Sequence, residues 1–186
     1  MSEPYYGWAL DAVEGLRWLV GVDDWAFEGA GKNLGGRDPR IIDVAHIRWA
    51  TTTAVTAVDL CVAEIAVRYC GEPFWSERMP SLASVRAKLT GQGSQSASAW
   101  LDRVEKDQDY KLLRRGARDP LTHRFVVRTA LIGPGRTQFE LDRAAPADDR
   151  PNAREVILLA FDVADRHVRE FGETLGGPHA PPPRPS

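Results

Sequence analysis

The sequence predicts a mainly α-helical fold, a bundle around one long central helix with a small β-hairpin near residues 125–141. Apolar residues recur every three or four positions in several segments, most persistently from residue 39 to residue 70. A second apolar stripe follows that same segment, so we expect a helix that is buried on both sides. After residue 124, β-branched and aromatic runs flank Gly133-Pro134-Gly135, a pattern typical of a hairpin.

Local signals justify each element in order. Asp38 and Pro39 supply an N-cap and a first helical position for the long helix. Gly71 and Pro73 end that helix. The remaining predicted segments, in chain order, are a helix at 8–20, a glycine-rich loop at 28–37, helices at 80–89 and 96–108, a continuation near 111–115, and a final helix at 153–171.

Length and composition predict one domain. The chain has 186 residues, 43% of them hydrophobic and 27% charged, which is enough apolar material for a core. We place the domain at 1–172 and a disordered Pro/Gly-rich tail at 173–186. The net charge of −2 excludes a uniformly basic nucleic-acid-binding protein. Two cysteines are too few for a disulfide scaffold or a Cys-rich zinc site.

The compartment follows from two further observations. The N-terminus lacks a basic segment followed by an apolar run, so a secretory signal is not expected. Asp59 and Glu64 interrupt the most apolar stretch, 51–67, which argues against a membrane span. We therefore expect a cytoplasmic protein with no membrane partner.

Two segments with suggestive residues are weak candidates. The glycine-rich loop at 28–37 does not match a phosphate-binding loop, so a small-molecule enzyme that uses it is the least supported hypothesis. On the last helix, Asp162 with Arg166 and Asp165 with Arg169 stand four apart, which predicts ion pairs on a solvated face that also carries His167.

One segment is strongly basic. Between residues 111 and 128 a single acid, Asp119, accompanies six cations, a local excess of +5. These cations are Lys111, Arg114, Arg115, Arg118, Arg124 and Arg128. Within the segment, Arg118 and His123 are separated by four residues. A guanidinium can hold a phosphate and an imidazole can transfer protons near neutral pH, so the pair suggests a phosphodiester site.

With these residues the sequence resembles the HEPN superfamily (higher eukaryotes and prokaryotes nucleotide-binding), helical domains marked by an Arg, a polar residue and a following His. Arg118, Asp119 and His123 match that motif. The resemblance implies a dimeric, metal-independent ribonuclease without a cofactor. In it, Arg118 would bind the scissile phosphate, His123 would be general acid or base, and Asp119 would orient one of them.

The resemblance also frames the expected partners. The arginines at 114, 115, 124 and 128 would bind substrate RNA, and the chain would form a homodimer of toxin or defence type, with an antitoxin as a further partner. Alternatively, Asp119 is an N-cap with Pro120 at the first helical position. The competing function is a non-catalytic helical interaction or dimerisation module that uses Trp8, Trp18 and Trp25.

Overall fold

The computed structural model describes residues 5–21, 40–71, 81–89, 94–123, 129–131, 137–142, 146 and 149–175. These residues form a mainly helical bundle, as the sequence predicts. The elements are α1 (Tyr5–Gly21), α2 (Arg40–Cys70), α3 (Leu82–Leu89), α4 (Gln95–Lys106), α5 (Gln108–Lys111), a π-helix (Leu112–Arg118), α6 (Asp119–His123), β1 (Thr129–Leu131), β2 (Thr137–Phe139) and α7 (Ala153–Leu175). The predicted loop at 28–37 lies outside the described residues.

The long helix α2 is the centre of the bundle. It packs against α1, α7, α3 and the π-helix. Its C-terminal half is buried nearly all round, and Val55, Val62 and Ile65 are fully enclosed. Its N-terminal half is not, because Ile41 and Trp49 remain 63% and 45% exposed. The prediction of two buried stripes is therefore confirmed only where neighbouring helices cover α2.

Within the described residues, the stretch Asp43–Cys70 of α2 is long and apolar enough to cross a membrane by length and composition. Of its most apolar window, 72% is buried inside the molecule. This extent of burial is typical of the core helix of a soluble protein.

Helices α1 and α7 flank the centre, and both extend beyond their predicted ends. Helix α1 includes Tyr5 and Tyr6, which are both buried, and the Tyr6 ring lies 5.2 Å from that of Phe171. Helix α7 continues to Leu175, whose carbonyl accepts a hydrogen bond from Arg68. Residues 173–175, which the sequence assigns to the tail, are thus helical, and 176–186 lie outside the described residues.

The predicted hairpin is present. Strands β1 and β2 are antiparallel, with Thr129 opposite Phe139 and Leu131 opposite Thr137. Phe139 is fully buried, and its N–H donates to the carbonyl of Pro151 at 2.9 Å. This bond fixes the hairpin to the start of α7.

Candidate functional site

The described part of the basic segment, residues 111–123, lies on an unbroken helical stretch from residue 108 to residue 123, here called the motif helix. Asp107 begins it, since its Oδ1 accepts the N–H groups of Asp109 at 2.8 Å and Tyr110 at 3.3 Å. Residues 112–118 then widen into a π-helix, and the N–H of Asp119 bonds to the carbonyl of Arg114 five residues earlier. Such wide turns are rare and occur frequently at functional sites.

Asp119, the first residue of α6, does not cap a separate helix. Its backbone is helical, with φ −65° and ψ −45°, and the chain passes from the π-helix into α6 without a break. The alternative that Asp119 is an N-cap is therefore wrong. Pro120 explains the wide turn, because a proline ring inside an α-helix collides with the carbonyl of residue i−4, here Gly116. The π-helix before Pro120 displaces that carbonyl.

Gly116 also lets another part of the chain approach the motif. A Cβ built at Gly116 would stand 2.3 Å from the carbonyl oxygen of Leu141, the second residue after β2. Leu141 is itself buried. The segment that leaves the hairpin thus lies directly on the π-helix and fixes the position of the neighbouring arginines.

Asp59 of α2 and Tyr110 both hold the Arg114 side chain. Its NH1 donates to Asp59 Oδ1 at 3.2 Å and to the Tyr110 hydroxyl oxygen at 2.5 Å. Burial raises the pKa of Asp59, and Arg114 and Arg118 oppose that shift. Burial and then the charge of Asp59 raise the pKa of Tyr110. Arg114, which the sequence predicts to bind substrate, is therefore already ion-paired with α2.

Arg118 lies at the end of the π-helix. Its NH1 donates to Asp119 Oδ1 at 2.9 Å, and the two side chains are 25% and 38% exposed. The Arg118 Nε is buried, and no acceptor among the described residues hydrogen bonds to it. Asp119 thus holds the guanidinium through NH1, while part of the Arg118 side chain remains exposed to solvent.

The other predicted site residues divide into two groups. Arg115 is described and exposed. The backbone of His123 ends α6, five positions after Arg118, and its side chain lies outside the described residues. Arg124 and Arg128 also lie outside them.

A second buried polar group adjoins the motif and includes His167, which the sequence placed on a solvated face. That prediction is wrong, because the His167 side chain is only 3% exposed. Its Nε2 lies 2.7 Å from Asp107 Oδ2, and Arg166 also pairs with Asp107 at 2.6 Å. The rings of Trp100 and Tyr110 cover it edge-on, and the Trp100 N–H donates to the His167 carbonyl at 3.0 Å. The ion pair predicted between Asp165 and Arg169 is confirmed at 2.9 Å.

The protonation of this group follows from burial and charge. Burial lowers the pKa of His167, although Asp107 opposes the shift. Burial acts to raise the pKa of Asp107, but hydrogen bonds from Arg166, the Tyr110 N–H and His167 outweigh it and hold that pKa below its usual value. An ionised carboxylate only accepts, so the neutral His167 carries its proton on Nε2. The hydrogen bond between Asp107 and His167 thus joins the start of the motif helix to α7.

Within the described ranges, no group of three or more His, Cys, Asp or Glu side chains is arranged to hold a metal ion.

No family model, curated protein or solved structure matches this chain.

Sequence reasoning missed three residues of this region, Asp59, Asp107 and Tyr110. Asp59 had a signal, since an acid within the apolar stretch 51–67 of a buried helix needs a partner. Asp107 lies in a polar break and Tyr110 in a short helix, and neither has a local pattern that marks a contact with α2 or α7.

Proposed function

We propose that this chain is a HEPN-like, cytoplasmic RNA-binding domain that cleaves RNA without a metal ion, as a toxin or defence component. The observation that carries the proposal is Arg118, a guanidinium that Asp119 holds at the end of the π-helix and that remains 25% exposed to solvent. His123 follows it on the same helical stretch. A guanidinium held in place ahead of the reaction stabilises the charge that develops on a phosphodiester.

In the proposed mechanism Arg118 binds the non-bridging oxygens of the scissile phosphate. The ribose 2′-oxygen attacks phosphorus and loses its proton, and the bond to the 5′-oxygen breaks as that oxygen gains a proton. His123 carries one of these two proton transfers, for which a pKa near 6.5 is suited at neutral pH. Asp119 orients Arg118. The products are a 2′,3′-cyclic phosphate and a 5′-hydroxyl.

A homodimer completes this proposal. One chain offers a single motif histidine, whereas the reaction needs both a base and an acid, so a second motif from another copy would supply the missing group. An antitoxin protein would then act by covering this site.

The test is cleavage of a labelled single-stranded RNA in EDTA by the wild-type protein and by its Arg118→Ala and His123→Ala variants. We expect His123→Ala to lose about 10²–10⁴-fold in rate and Arg118→Ala about 10²–10³-fold. Lys106→Ala, an exposed cation on α4, is the matched control and should cleave normally. Full activity in folded His123→Ala would remove the proposal.

A second candidate function, a non-catalytic dimerisation module, is favoured by exposed tryptophans on α1 and on the N-terminal half of α2. Trp8 and Trp18 are 48% and 65% exposed on one face of α1, and a Cβ at Gly15 between them would lie 3.8 Å from the ring of Trp49. At about 250 Å² for an exposed indole side chain, the three tryptophans leave roughly 400 Å² uncovered. That is about half of what one partner contributes to a standard interface. Trp25 lies outside the described residues.

The occupant we assign to this patch is a second copy of the chain. Trp18→Glu should then convert a dimer to a monomer in light scattering, while Leu158→Glu on α7 should leave the dimer intact. A wild-type protein that is monomeric at all concentrations would refute this candidate. A dimer that survives Trp18→Glu would place the interface elsewhere.

A further inference from the structure

A cleft beside the motif has features of an anion site that the sequence did not predict. It measures about 270 Å³. One wall is the start of α3, residues 81–83, and the other is the motif helix with Tyr110, Lys111 and Arg115. This volume lies below the range of about 300–1,000 Å³ that is typical of pockets for drug-sized ligands. It suits a small group such as a phosphate.

The charges around the cleft leave a net positive site. Each of its two acids has a cation partner outside the cleft, since Arg86, which also pairs with Asp102, pairs with Glu105 and Arg118 pairs with Asp119. Arg114 is likewise occupied by Asp59. Lys111 and Arg115 differ from these residues, because neither makes an ion pair with any residue that the structure describes.

The opposite wall adds backbone donors. Ser81 caps α3, since its Oγ accepts the N–H of Ser84 at 3.1 Å and its carbonyl accepts the N–H of Val85 at 3.0 Å. The N–H groups of Leu82 and Ala83 belong to the first turn and have no carbonyl partner within the helix. The positive end of the helix dipole and two cations thus face one cleft from opposite sides.

From these observations we infer that the cleft between α3 and the motif helix binds a non-scissile phosphate of the RNA backbone, between Lys111, Arg115 and the start of α3. The inference rests on the proposed function for the identity of the ligand. Arg114 then has a structural role, through its ion pair with Asp59 of α2. Lys111 and Arg115 are the residues that bind the RNA backbone. Bound here, the strand passes along the helix that carries Arg118.

The test uses inorganic phosphate as the probe and amide NMR as the readout. Titrated against chloride at equal ionic strength, phosphate should shift the Leu82 and Ala83 signals of the wild-type protein. In Lys111→Ala/Arg115→Ala those shifts should be lost, whereas Lys106→Ala should retain them. No shift in the wild type, or equal shifts in the double variant, would overturn the inference whether or not the protein cleaves RNA.

A second arm distinguishes the RNA backbone from free phosphate. In a binding assay with single-stranded RNA, the double variant should bind about tenfold or more weakly, because charge-assisted hydrogen bonds to one phosphate are lost. Its salt dependence should fall by about 0.7 in the log–log slope for one phosphate contact. Phosphate shifts without an RNA effect would reject the RNA backbone as ligand. Equal log–log salt slopes for RNA binding by the wild type and the double variant would likewise contradict this inference.

Discussion

Replacing Gly116 with alanine tests the packing that positions the motif. The new Cβ would stand 2.3 Å from the Leu141 carbonyl oxygen, 3.0 Å from its carbon and 3.2 Å from its Cα. All three are backbone atoms, so no flexible side chain can move aside, and the hairpin exit or the π-helix must shift. Overpacking costs about 1–3 kcal/mol, and because the closest atom is backbone at 2.3 Å, we expect about 2–3 kcal/mol here. The gain in helix propensity from glycine to alanine returns at most about 1 kcal/mol.

We therefore expect Gly116→Ala to lower the free energy of unfolding by about 1–2 kcal/mol. For a chain of this size that corresponds to a fall in Tm of roughly 2–8 °C. Urea and thermal unfolding measure both quantities. The matched control is Gly7→Ala in α1, where a Cβ meets nothing within 4 Å, so this variant should gain about 0.5–1 kcal/mol. If both substitutions stabilise the protein, the contact between the π-helix and Leu141 is refuted.

Three further predictions concern the buried polar groups. Asp59→Asn should cost about 1–2 kcal/mol because it leaves a half-buried Arg114 without its charge partner, whereas Glu14→Gln, in an exposed pair with Arg17, should cost under about 1 kcal/mol in the same urea titration. Trp100→Phe should cost about 1–3 kcal/mol, since it removes the indole N–H that donates to the His167 carbonyl and leaves a void in the core; an unchanged urea midpoint would contradict this. Because burial holds the pKa of His167 below the value of about 6.5 that applies to the unfolded chain, unfolding takes up a proton, and stability should fall as the pH drops from about 7 to 5. His167→Gln should have a shallower pH dependence over that range, and an identical slope would count against a neutral, buried imidazole.

The helical class and its central element were predictable because they depend on local patterns. The apolar period over residues 39–70 predicts α2, and Gly133-Pro134-Gly135 between β-branched runs predicts the hairpin. The π-helix was not predictable from periodicity, since one wide turn barely changes the spacing of apolar residues. Pro120, four residues after Gly116, was its only local signal.

The contacts of the site depend on pairs distant in sequence. Arg114 meets Asp59 across 55 positions, and His167 meets Asp107 across 60. The alternating charges around His167 are typical of a solvated face, and only the packing of Trp100 and Tyr110 against the ring makes that position buried. Local spacing could therefore identify the basic segment but not which of its cations are already paired.

The most direct test of metal-independent RNA cleavage compares one RNA with its 2′-deoxy counterpart. Each is incubated with the wild-type protein in EDTA, and the chemical groups at the ends of the products are identified. We expect the RNA to be cut to a 2′,3′-cyclic phosphate and a 5′-hydroxyl, the 2′-deoxy strand to stay intact, and Arg118→Ala/His123→Ala to cut neither. An RNA that stays intact at every protein concentration, or that the double variant cuts as fast as the wild type, would contradict this expectation.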